Sequence, residues 1–198
     1  MLPEYFVIIG FFLSMGGCLH YLIATLRGTV QPNRVSWFLW ASAPLIAFAA
    51  ELSEGVGIQS LMTLSVGLSP LLVFLASFVN RKSVWKLQPF DYVCGGLSVI
   101  GIILWAVTRS GNVAIIFSIA ADSLASIPTI RKSFTNPESE SYVIYLLGII
   151  NAILTILTLH IWNIAHIGYP IYIITVNSIL VAAIIGVPLL KKRTMSHT

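Results

Sequence analysis

Asp122 is the residue in this sequence best placed to do chemistry. It stands near the middle of an apolar run, 113–130, where water is scarce. An ionised Asp at such depth costs roughly 2.5 to 3.5 kcal/mol even on lenient insertion scales, so it must face protein or an aqueous cavity. Intramembrane carboxylates often mark proton or substrate paths. Ser118, Asp122, Ser126 and Thr129 recur at helical spacing and make one polar stripe. Ser14, Gly17, Tyr21 and Thr25 make a matching stripe on the first apolar run. The chemistry on offer is proton binding and release, beside the plainer role of a hydrogen-bonded tether between helices. His20, on the first run, changes charge near neutral pH and is a candidate to share a proton with Asp122; the alternative is simple packing.

Two amides and an indole complete the candidate set. Asn177 lies deep in the last apolar run, and Asn151 shares a small or polar stripe with Gly148, Thr155 and Thr158. An amide both donates and accepts, which suits a neutral polar ligand and equally suits helix-to-helix bonding, the preferred reading for Asn151. Trp37 and Trp40 open the second run. Their position fits an interfacial aromatic anchor, and Trp40, one turn deeper, could stack on a ligand.

These residues must be carried by membrane helices. Of 198 residues 57% are hydrophobic and 9% charged, and mean hydropathy is +0.92, whereas soluble domains carry about a quarter charged residues. At about 20 apolar residues per crossing, seven spans emerge: 5–26, 35–50, 57–79, 91–108, 113–130, 142–162 and 169–190. The first carries Glu4 on its amino side and no basic lead, so it reads as a span and not a cleaved signal. Ten of the eleven Lys and Arg fall on one side of a seven-span arrangement, Arg109 being the exception. Positive connections face the cytoplasm, which predicts an external amino terminus and a cytoplasmic carboxyl terminus. The net charge of +4 sits in short connections and forms no continuous face, which argues against nucleic-acid binding.

A proline-centred basic connection occurs twice, at Arg27 to Trp37 and at Lys132 to Tyr142. With Pro32 set on Pro137 the copies lie 105 residues apart, and Ser36 falls on Ser141. Both connections are predicted cytoplasmic, so two three-helix units in parallel need a linker helix between them. The expected fold is an all-α membrane protein of seven transmembrane helices, arranged 3+1+3: a first bundle over 1–80, a linker region over 81–112, a second bundle over 113–190 and a basic tail over 191–198. Pro44, Pro70, Pro128, Pro170 and Pro188 lie within spans. Each removes a helical hydrogen bond and favours a kink, and Pro188, at the cytoplasmic end, reads as a terminator. Cys18 and Cys94 read as small hydrophobes. The histidines, His160 and His166 among them, have no ligand-like spacing, so neither a metal nor another cofactor is expected.

The stretch from Asp122 to Ser141, DSLASIPTIRKSFTNPESES, resembles a PQ-loop motif. Pro128 and Thr129 occupy the Pro-Gln pair, Lys132 the basic position and Ser141 the serine that opens the next helix. Thr129 stands in place of Gln, and the first copy has Ile23 and Ala24 there. The whole chain is similar to SWEET sugar carriers and to the lysosomal cystine and cationic amino-acid exporters, and nicotinamide riboside carriers share the general fold. The resemblance implies alternating-access transport of a small polar solute at the repeat interface, with the solute open between sugar, amino acid and vitamin-like molecule. It also implies a substrate-contacting Asn at Asn177, whose counterpart in the first copy is Gly67, and proton coupling at Asp122.

The expected function is thus an integral membrane carrier of a small polar solute, with or without protons, in contact with the lipid bilayer and with room for a homo-oligomer. The rival is a seven-helix receptor or sorting protein that binds without translocating. An enzyme is not expected: the sequence has no HExxH helix and no GxSxG elbow, and no second carboxylate is read deep in the bundle.

Overall fold

The computed structural model describes residues 2–80, 85–93, 96, 99, 103, 107 and 111–195, with 191–195 described by backbone alone. Among the described residues every regular element is helical. Helix α1 (Tyr5–Arg27) stops at Gly28, whose φ of 77° is left-handed and whose N–H returns to the carbonyls of Ala24 and Thr25, a conformation that glycine takes without strain. Helix α2 (Arg34–Ser53) starts where the Asn33 side chain accepts from the N–H groups of Val35 and Ser36, at 3.1 and 3.3 Å. A short 3-10 turn, Gly57–Ser60, leads into α3 (Leu61–Ala76). Helices α4 (Gly111–Thr135), α5 (Tyr142–Thr158) and α6 (Ile164–Met195) follow. Within the fourth sequence-read span, the described positions 91–93, 96, 99, 103 and 107 are helical. The rest of that span, with Cys94, lies outside the described residues, as do Arg81, Lys82 and Arg109.

Five helical stretches are long and apolar enough to cross a membrane: Tyr5–Arg27, Arg34–Ser53, Gly57–Ala76, Gly111–Thr135 and Ile164–Leu190. Tyr142–Thr158 is apolar but shorter. The outer surface carries exposed Phe12, Leu19, Leu75, Ile116, Ile153 and Leu189, while Ser, Thr, Asn and carboxylate side chains are buried. Soluble proteins do not expose apolar area so continuously, and lipid on the outside accounts for it.

Helix α1 packs on α3 and α5, α2 on α3 and α4, and α6 on α4 and α5. Small residues set the close approaches. A Cβ at Gly17 would lie 3.1 to 3.3 Å from Leu147 and Ile144 on α5, and one at Gly67 would lie 2.7 Å from Leu45 Cγ and 3.0 Å from its backbone nitrogen on α2. Overpacking costs typically 1–3 kcal/mol. Gly67→Ala is therefore expected to lower the midpoint of thermal unfolding in detergent by several degrees, and an unchanged midpoint would show that α2 and α3 separate freely.

The helices differ from the apolar runs mainly at their ends. Helix α2 continues to Ser53 and α4 to Thr135, past the runs ending at 50 and 130. Helix α5 ends at Thr158, short of 162, and α6 begins at Ile164 and carries on through 195. The helix thus runs into the basic stretch, as far as Met195. The apolar run marks what lies in hydrocarbon, whereas hydrogen bonding continues until a cap or a break stops it. All five prolines named above lie inside helices.

Candidate solute site

Residues from all six helices named above line one central cavity. Ser14 comes from α1, Trp37 and Trp40 from α2, Ser65 and Ser69 from α3, Asp122 from α4, Tyr145 and Gly148 from α5, and Tyr172 and Asn177 from α6. Both polar stripes read from the sequence are buried inward, and Asp122 is 1% exposed.

The aromatic side chains have a definite geometry. The Trp37 and Trp40 rings lie 5.6 Å apart at 75°, and Trp40 and Tyr145 lie 6.4 Å apart at 75°. The Trp40 indole N–H donates to the carbonyl oxygen of Asp122 at 3.3 Å, which ties the aromatic wall to the acidic helix. The Tyr172 hydroxyl is placed to interact with the Asp122 carboxyl. Ser69 Oγ, on the opposite wall, has no hydrogen-bond partner among the described residues. Buried polar atoms are nearly always satisfied, so an unsatisfied hydroxyl beside a cavity calls for water or a ligand there.

Asn177 reaches the cavity because Gly148 faces it: a Cβ at Gly148 would sit 2.5 Å from the Asn177 amide nitrogen. That nitrogen donates to the Tyr145 carbonyl at 3.2 Å. Asn151 does not line the cavity. It is fully buried and donates to Ser65 Oγ at 2.9 Å, joining α5 to α3 as a tether. His20 is a correction to the expected proton pair. It is exposed on the outer face of α1, while Ser14, Gly17, Tyr21 and Thr25 turn inward, so it does not join Asp122.

The motif residues build a second polar centre, beside the cavity. Lys132, 2% exposed, pairs with Glu140 at 2.5 Å and donates to the Gln31 carbonyl. Its ammonium also lies 5.1 Å from the Trp85 ring. Glu140 Oε2 accepts from the hydroxyls of Tyr21 at 2.7 Å and Tyr145 at 3.1 Å. This knot joins the α1–α2 connection to the α4–α5 connection, and through Tyr145 it touches the cavity. Pro128 and Thr129 are buried within α4. Ser141 holds the residue position before α5 without a side-chain cap bond. Pro44 is buried inside α2.

A further buried carboxylate also departs from the sequence reading. Glu51, 2% exposed, sits in the last turn of α2 and accepts from Thr63 Oγ1 at 2.8 Å. The stripe Trp37, Trp40, Pro44, Ala47, Glu51, buried throughout, was the signal that could have found it.

Compared with family models, with curated proteins and with solved structures, the chain matches none.

Proposed function

We propose that this chain is an integral membrane carrier that moves a small polar solute by alternating access between two three-helix bundles, with protons coupled through Asp122. The observation that carries the reading is the cavity, walled by residues of all six helices named above, with the Asp122 carboxyl buried in its lining. The packing order supports a two-bundle plan: exchanging α1, α2 and α3 for α4, α5 and α6 maps the six helix pairs named above onto one another. The two proline-centred connections join equivalent helices, α1 to α2 and α4 to α5. In this reading the amino terminus is external and the basic connections are cytoplasmic. Prolines inside α2, α3, α4 and α6 provide points at which the bundles can rock.

Thermal-shift screening of sugars, amino acids, nucleosides and vitamin-like molecules identifies the solute, since a ligand of the folded state raises apparent stability. The protein is then reconstituted into vesicles. The expected result is saturable uptake, stimulated by solute on the far side and driven uphill by a pH difference. Uptake that only equilibrates would remove the proton coupling, and binding without uptake would overturn the carrier.

A further inference from the structure

The charge balance of the cavity identifies the class of its occupant. Asp122 is the one charged side chain that lines it among the described residues. The nearby buried cation, Lys132, is committed to Glu140, and Arg34 is committed to the Ser77 carbonyl at 2.7 Å and to the Phe78 ring at 4.1 Å. An ionised carboxylate buried without a counter-charge is strongly disfavoured, so the compensating charge must come from a proton or from the solute. Four aromatic residues, Trp37, Trp40, Tyr145 and Tyr172, line the same volume, and the faces of such rings attract cations.

We infer that the site takes a positively charged organic solute, with its ammonium-type head on the Asp122 carboxylate and its body among the aromatic rings. A proton and the cation then compete for one carboxylate: as a monovalent solute arrives, one proton leaves Asp122 for water, and the reverse restores it. On the two helices packed against α4, the titratable groups buried in this region are Tyr169 and Tyr172 on α6 and Glu51 on α2. On α1, α3 and α5 the cavity is lined by Ser14, Ser65, Ser69, Tyr145 and Gly148, of which Tyr145 alone titrates. The inference deepens the carrier reading and rests on it for the fate of the solute.

The test is a tryptophan-fluorescence titration of the detergent-purified full chain with benzyltrimethylammonium, and with benzyl alcohol as the uncharged aromatic control. The cation is expected to bind saturably, at least about tenfold tighter than the alcohol, and more weakly as pH falls. Asp122→Asn is expected to lose about tenfold or more in affinity, whereas Asp122→Glu, which keeps the charge, retains binding. Equal binding of the two probes to the wild-type protein would overturn the inference even if the Asn variant fails to fold. So would binding that neither pH nor Asp122→Asn alters. Cation binding without vesicle uptake would sink the carrier and leave this site standing; uptake of a neutral solute with no cation binding would do the opposite.

Discussion

Glu140→Gln is expected to destabilise the protein by about 3–5 kcal/mol, because it leaves the Lys132 ammonium buried and unpaired. The pair sits at the junction of five parts of the chain. Lys132 ends α4, Glu140 lies in the next connection, Gln31 lies in the first connection, and Tyr21 and Tyr145 reach in from α1 and α5. An amide still accepts from the two tyrosines, so the loss isolates the charge and not the hydrogen bonds. Removing both charges in Lys132→Met with Glu140→Gln is expected to recover most of the stability, since an uncharged pair carries no desolvation penalty. At roughly 2–4 °C per kcal/mol for a chain of this length, the single variant unfolds about 10 °C lower in detergent and the double variant close to the parent. A single variant as stable as the parent would mean that water reaches Lys132 and that the knot does not hold the two connections together.

Much of the inward-facing chemistry was legible because helical phase is local. Asp122 and its stripe follow from spacing within one run, and their burial agrees with it. The same arithmetic rejects His20. At about 100° per residue it lies roughly 120° from the direction of Ser14, Tyr21 and Thr25, so it faces outward with Leu19. Glu51 was hidden by treating the end of the apolar run as the end of the helix, although its phase continues that of Trp37, Trp40, Pro44 and Ala47. Glu140 is a different case. The segment NPESES reads as a solvated turn, and only the folding of that turn back onto Lys132, Tyr21 and Tyr145 buries its carboxylate. Non-local burial of this kind has no signature in sequence periodicity. Asn151 and Asn177 look alike in sequence, yet one is spent on Ser65 and the other reaches the cavity past Gly148. Which helix stands opposite decides between them.

Trp40 is where stability and recognition meet, and its variants should separate the two. Trp40→Ala is expected to cost about 3–5 kcal/mol of stability, as large aromatic truncations in cores do, and to weaken an aromatic cation about 30-fold, equivalent to about 2 kcal/mol for a desolvated cation–π contact. Trp40→Phe keeps a ring between Trp37 and Tyr145 but gives up the N–H bond to the Asp122 carbonyl. Its expected loss of stability is about 1 kcal/mol, the net worth of one such bond. Because the bond runs to the backbone of the acidic residue, its loss also frees α4 to shift relative to α2, so proton competition at Asp122 should change even where ring contact survives. Fluorescence titration of benzyltrimethylammonium at several pH values, alongside thermal unfolding, reads these effects separately. If Phe restores cation affinity to within about threefold of the parent while Ala does not, the ring face is the recognition element. If Phe and Ala bind equally weakly, the indole acts by holding Asp122 in place, and the aromatic wall is scaffolding for the carboxylate.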